Sequence, residues 1–328
     1  MPYVRPDVQA MLAMLAAAPG PRIHDTDPAT ARMMARTMAQ VAERPRGDIA
    51  EVQDLTIPAA DGHAIPVRLY RAALNTAPAP VLLWLHGGGW VIGDLDTYDS
   101  LCAEAARTLG ITVLAVDYRM GPEVRFPSAA DDCIDAARWL AGSPAGIGHA
   151  VTGLVIGGDS AGGNLTAVLC QELGDSLAVP ILAQWLIYPS TDMAWSHGSM
   201  EEFANGYLLE ARTMAWFSSH YLAPDSDLSH ARAAPLNAES LAGQPSALVF
   251  TCSLDPLRDQ GRAYAAKLIT NGVRTIFREA EGQIHGSINN RGGIPSAHDD
   301  LLACLKDLKL LIDEAVAALP AARAQAAE

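Results

Sequence analysis

From about Ile49 the apolar positions begin to alternate, with Val52, Leu55 and Ile57 on one side of Asp61-Gly62 and Ile65, Val67, Leu69 and Tyr70 on the other. Alternation interrupted by a turn pair predicts an antiparallel hairpin. After Pro78 and Pro80 the pattern becomes short unbroken apolar runs, at Val81 to Leu85, Thr112 to Val116, Leu154 to Gly157 and Ile181 to Ile187. Such runs suit strands covered on both faces of a parallel sheet. Helices expected over Tyr98 to Leu109, Ser128 to Ala141 and Ala161 to Leu173 are long enough to cross back between them. Two further strands, Ala247 to Cys252 and Thr275 to Arg278, flank a helix around Gly261 to Asn271. Leu301, Leu305, Leu308, Leu311, Ile312 and Ala315 repeat at helical spacing and predict a last helix, with fraying expected after Pro320. The alternation of strand and helix predicts an α/β fold.

Two stretches break this rhythm. Residues 192–235 are long, aromatic and without a strand signal, so they read as an insertion above the sheet. Within it Met214, Phe217 and Tyr221 share one helical face, which favours packing on the main domain over lining a substrate site. At the N-terminus the apolar run from Ala10 to Ala18 has the length of a signal-peptide core, but Asp7 and Gln9 interrupt its lead-in. A similar Ala/Met/Arg segment recurs from Thr30 to Ala42, and both read more simply as helices of a small cap.

Composition narrows the classes of function. The chain has 328 residues, half of them hydrophobic, enough for a large core. A net charge of -14 repels phosphate backbones and anionic membranes, so neither nucleic acid nor a membrane surface is an expected partner. Five widely spaced cysteines contain no C-x-x-C pair and read as reduced core thiols of a cytoplasmic protein. No apolar stretch reaches the 18 residues of a membrane span.

Chemistry enters at Gly158-Asp159-Ser160-Ala161-Gly162, a G-x-S-x-G string where an apolar strand must turn abruptly into a helix. A serine on such an elbow projects its hydroxyl above the sheet, at the positive end of the following helix. Read alone, Ser160 fits a helix N-cap better than a nucleophile. The weighing changes at His86-Gly87-Gly88-Gly89-Trp90, directly after the strand Val81 to Leu85. Three successive glycines cost backbone entropy, and an oxyanion hole, which needs bare amides close to a reacting atom, supplies a reason for them.

A serine nucleophile needs a base and an orienting acid. His285 follows the last expected strand and Asp255 the one before it, which gives the chain order Ser, Asp, His expected on this kind of sheet. Asp259, a helical turn beyond Asp255, is the weaker choice, and Asp255 also fits an ordinary turn aspartate. There is no H-E-x-x-H string or close His/Asp cluster for a metal, and no dinucleotide fingerprint.

These motifs, with Val116-Asp117-Tyr118-Arg119, Gly158 to Gly163, Tyr188-Pro189 and Asp255 to Asp259, resemble the bacterial hormone-sensitive lipase family (family IV) of carboxylesterases. The resemblance covers nearly the whole chain. It implies an α/β-hydrolase fold, a mostly parallel central sheet flanked by helices under a helical cap. It implies that Ser160, Asp255 and His285 form a triad, with an oxyanion hole from the amides of Gly88, Gly89 and Ala161. Residues 1–46 and 192–235 would form the cap, and 47–191 and 236–328 the hydrolase core. Hydrolysis of short to medium acyl esters is expected, without cofactor or metal, by an enzyme that is often a homodimer. Two positions depart from the family pattern: Ser287 replaces the usual aromatic after His-Gly, and Met120-Gly121 the usual Leu-Ala before Pro122. Amidase, lipase or lyase chemistry on the same scaffold, and a ligand receptor without turnover, stay open.

Overall fold

The alternating segments pair as the hairpin pattern requires, with Ile57 opposite Ile65 and Leu55 opposite Val67 in the computed structural model, which describes residues 2–17 and 20–325. In chain order the elements are α1 (Pro6–Ala17), α2 (Pro28–Ala42), β1 (Glu51–Pro58), β2 (Ala64–Arg71), β3 (Ala79–Leu85), α3 (Asp99–Leu109), β4 (Thr112–Val116), α4 (Ser128–Ala141), β5 (Val151–Asp159) and α5 (Ala161–Leu173). There follow β6 (Ile181–Ile187), α6 (Gly198–Glu202), α7 (Ala211–Tyr221), β7 (Ser246–Leu254), α8 (Arg258–Thr270), β8 (Thr275–Ile284) and α9 (Pro295–Gln325). The strands form one eight-stranded sheet in the order β1-β2-β4-β3-β5-β6-β7-β8. Pairing is antiparallel at β1/β2 and β2/β4 and parallel from β4 to β8.

Each central strand divides its side chains between two cores. On β3, Val81, Leu83 and Leu85 pack with Leu165 and Val168 of α5 and Ala137 of α4. Leu82 and Trp84 face the opposite layer, against Leu101 of α3 and Leu305 and Leu308 of α9. All five β3 positions are fully buried, which is why the run carries no polar residue. Truncating one of these leucines to alanine typically costs about 2–5 kcal/mol.

The structure extends several sequence expectations. The strand expected to end at Arg278 continues to Ile284, because Thr251 and Cys252 of β7 pair with Glu279 and Ala280, and Leu254 pairs with Ile284 beyond a register irregularity. The last helix does not fray at Pro320 but runs on to Gln325. The N-terminal apolar run is helical as far as Ala17, with Val8 and Met11 turned inward, and its last residue, Ala18, lies outside the described residues. Helix α2 starts at an N-cap, Asp27, whose side chain accepts from Thr30 N at 3.0 Å. It ends on the loop after β8, where Ala42 O accepts from Gly292 N and Gly293 N at 2.8 and 2.9 Å. No helix among the described residues is long and apolar enough to cross a membrane.

Candidate active site

Strand β5 delivers Ser160 to the carboxyl edge of the sheet, and α5 starts at the next residue. Ser160 has φ 55°, a left-handed conformation that costs a non-glycine residue on the order of 1–3 kcal/mol. The turn is held by Ser160 N donating to Ile187 O at 2.8 Å, and by Ser160 O accepting from Ser190 N and Asn164 N. A Cβ at Gly158 or Gly162 would overlap the Leu85 carbonyl oxygen, so the flanking glycines let β3, β5 and α5 meet. The G-x-S-x-G spacing thus has a steric cause in this fold.

The two other residues expected of a triad converge on the same point from separate strand ends. His285 follows β8 and Asp255 follows β7. His285 Nδ1 lies 2.8 Å from Asp255 Oδ2, and Nε2 lies 2.9 Å from Ser160 Oγ. A carboxylate only accepts, so Nδ1 carries the proton and Nε2 is left to accept from the serine hydroxyl. Asp255 is fully buried, and its other oxygen accepts from Leu257 N at 2.8 Å. The Tyr188 ring packs on the imidazole with centroids 4.4 Å apart.

The glycine loop leaves β3 beside this group. Gly88 has φ +106°, and a Cβ there would overlap the backbone of Ile92, whose amide donates to Gly88 O at 2.9 Å. Only glycine fits that turn. Gly89 lies against the Phe217 ring, with no room for a side chain. Gly88, Gly89, Ala161, Ser160 and His285 all line one cavity of about 480 Å³. Ala161 opens α5, so its amide belongs to the unpaired first turn at the positive helix end.

Above these residues the cavity is walled mainly by apolar groups, among them Met34 and Met38 of α2, Leu208, and Met214 and Phe217 of α7. The face shared by Met214, Phe217 and Tyr221 therefore serves two purposes: Tyr221 stacks on Trp90 at 4.5 Å, whereas Met214 and Phe217 reach the cavity. His24 Nδ1 and Thr213 Oγ1, 2.8 Å apart, tie the N-terminal segment to α7 across the cavity wall. Among the described residues, no group of three or more His, Cys, Asp or Glu is placed to hold a metal ion.

One buried group was not singled out from sequence. Asp159, the variable residue of G-x-S-x-G, accepts from Gly87 N at 2.8 Å, Tyr98 Oη at 3.0 Å and Asn289 Nδ2 at 3.2 Å. Burial pushes its pKa up to about 6, against the lowering effect of the Tyr98 hydrogen bond. Its acidic character between Gly158 and Ser160 was the available signal.

Residues 82–289 match the family model described as alpha/beta hydrolase fold. The chain belongs to that family. It is 40% identical over 293 residues to the carboxylic ester hydrolase LipN of Mycobacterium tuberculosis, covering 86% of this chain and 77% of the relative. It is 38% identical over 262 residues to an ethyl acetate hydrolase of Pseudomonas putida, covering 79% and 82%. Among solved structures, a thermostable esterase from Pseudomonas putida superposes with a TM-score of 0.90 at 31% identity, over 95% of this chain and 98% of the other. An ester hydrolase from the metagenome of Lake Arreo gives a TM-score of 0.88 at 33% identity, over 94% and 98%. Within the α/β hydrolases this chain is an ester hydrolase of the hormone-sensitive lipase type, acting by serine chemistry.

Proposed function

We propose that Ser160 is the nucleophile of this carboxylesterase, His285 its general base and acid, and Asp255 the group that orients His285. The observation that carries the reading is the unbroken relay from Ser160 Oγ through His285 to Asp255, at 2.9 and 2.8 Å, on the floor of a largely apolar cavity. Ser160 Oγ attacks the ester carbonyl carbon while His285 Nε2 takes the hydroxyl proton. The carbonyl oxygen becomes an oxyanion held by the amides of Gly88, Gly89 and Ala161. As the C–O bond to the alcohol breaks, His285 returns the proton to the leaving oxygen. Water then attacks the acyl-enzyme, losing its proton to His285, and Ser160 regains a proton as the acid departs.

Residues 1–46 and 192–235 form the cap over this centre, a division supported by the contribution of α2 and α7 to one cavity wall. The cavity size and lining favour uncharged esters of short to medium acyl chains. Five buried free cysteines favour the cytoplasm, and the net charge of -14 disfavours nucleic acid. A homodimer is the expected assembly, read by light scattering. The central experiment is hydrolysis of p-nitrophenyl acetate and butyrate by the wild type and Ser160→Ala. Ser160→Ala is expected to lose about 10⁴-fold or more in kcat, and equal rates above background would refute Ser160 as nucleophile.

A further inference from the structure

Asp159 is a carboxylate in the wall of the active cavity that the acyl-transfer steps do not use. It joins three segments that must hold still together. Its backbone leads directly into Ser160, its Oδ1 receives Gly87 N from the glycine loop, and its Oδ2 receives Asn289 Nδ2 from the loop carrying His285. Tyr98, at the start of α3, closes the arrangement by donating to Oδ2 at 3.0 Å and accepting from Gly87 N at 2.9 Å. The first glycine of the triple has its explanation here. A Cβ on Gly87 would lie 2.5 Å from Asp159 Oδ2 and displace the carboxylate.

We infer that Asp159 is a positioning residue for the oxyanion-binding loop, holding Gly87 so that the neighbouring amides of Gly88 and Gly89 stay aimed at the reacting carbonyl, and that it does so only as a carboxylate. This rests on the assignment of Ser160, Gly88 and Gly89 proposed above. The ionised form accepts from all of its donors, Gly87 N on Oδ1 and Tyr98 Oη, Asn289 Nδ2 and, at 3.5 Å, Tyr188 Oη on Oδ2. Protonation of Oδ2 sets a hydrogen against the Asn289 amide that donates to it, so the tie between the carboxylate that holds Gly87 and the loop carrying His285 is broken.

The surroundings determine where that switch falls. The titratable groups facing Asp159 are Tyr98 and Cys102 from α3, Tyr118 after β4, Tyr188 after β6 and His285 after β8. Burial and the Asp159 charge hold the tyrosines and Cys102 neutral, well above their ordinary pKa values. His86, after β3 and beside Tyr98 and Tyr118, is kept neutral by burial. The hydrogen-bond partners of Asp159 are an amide, a carboxamide and the phenols of Tyr98 and, at 3.5 Å, Tyr188, none of them cationic, so burial dominates and raises its pKa to about 6. Activity dependent on the carboxylate is therefore complete well above pH 6, half lost near that value, and falls further as pH drops.

Protonation of Asp159 therefore lowers kcat/KM on the acid side and steepens that limb. Asp159→Asn keeps the shape and removes the ionisation. Measured on p-nitrophenyl butyrate, it is expected to lower kcat about 10- to 100-fold with little change in KM, and to make the acid limb shallower than in the wild type. A purely structural role changes neither the split between kcat and KM nor the steepness of the limb. Tyr98→Phe removes one donor to the charged form, so its acid limb should move to higher pH; this covers the case in which Asp159→Asn does not fold, as judged by circular dichroism. An acid limb equally steep in the wild type and in Asp159→Asn, or a Tyr98→Phe limb that stays in place or moves to lower pH, overturns the inference. Full kcat in Asp159→Asn while Ser160→Ala is inactive overturns only this role, whereas an active Ser160→Ala overturns the nucleophile assignment beneath it.

Discussion

Replacing Asp255 by asparagine changes one atom and tests the relay more sharply than deletion. The carboxylate serves two donors, Leu257 N at 2.8 Å on one oxygen and His285 Nδ1 at 2.8 Å on the other. Asparagine keeps a single oxygen. The Leu257 amide sits on fixed backbone at the start of α8, so the oxygen stays with it and the NH₂ group turns toward His285. Nδ1 must then accept, which moves the imidazole proton to Nε2, the atom that has to receive the Ser160 proton. The base is present but in the wrong tautomer, an exchange worth about 10⁴-fold in kcat for a Ser-His-Asp enzyme. At about 1.4 kcal/mol per tenfold this corresponds to roughly 5.5 kcal/mol of transition-state stabilisation. The assay is steady-state hydrolysis of p-nitrophenyl butyrate, beside a thermal melt showing that the isosteric change leaves the fold intact. A loss smaller than tenfold in a folded variant would mean that Asp255 does not set the tautomer, and Asp259 would become the residue to examine.

Phe217→Ala removes a ring that touches both Gly89 and the cavity. If the vacated space accepts two more methylenes at about 0.8 kcal/mol each, the kcat/KM ratio of octanoate to butyrate esters rises about tenfold; an unchanged ratio would place the acyl chain elsewhere. Arg291→Met strips the partner from Glu43, whose carboxylate lies 3.0 Å from a fully buried guanidinium. An uncompensated buried charge costs about 3–5 kcal/mol, so the melting temperature should fall by several degrees and recover in part when Glu43→Gln is added. No fall in either variant would show that the pair is energetically neutral.

What could be seen in the sequence follows from the range over which each feature acts. The strands β3 to β6 were visible because burial on both faces leaves few polar residues in a run, Thr112 and Gln184 being buried exceptions, and this is a local property. Ser160 was visible because its glycines are demanded by the Leu85 backbone at fixed offsets from the nucleophile. Asp255 and His285 were visible because each follows a strand recognisable in the sequence, and the parallel sheet brings strand ends to one edge; that β7 and β8 run on to the residue before each was seen only in the structure. The extension of β8 to Ile284 was hidden, since its last pair, Leu254 with Ile284, lies beyond an irregularity in the ladder with β7. Arg291 was hidden too: an arginine between asparagines and glycines has the composition of an exposed loop, and only the docking of α2 through Ala42 and Glu43 buries it.

The face of α7 shows why the cap resisted the same reading. Helical spacing reports that Met214, Phe217 and Tyr221 lie together and are shielded from water, but a core and an apolar substrate cavity impose the same pattern. Packing on the main domain, the reading favoured from spacing, holds for Tyr221 on Trp90. It is incomplete for Phe217, which lies on Gly89 of the glycine loop and in the cavity wall at once. The consequence is mechanical. A shift of α7 to admit a larger substrate moves the ring that presses on Gly89, and Gly89 is two residues from the amide that Asp159 holds. Substrate size and oxyanion geometry are thereby coupled through one side chain, so changes at Phe217 should alter kcat as well as chain-length preference.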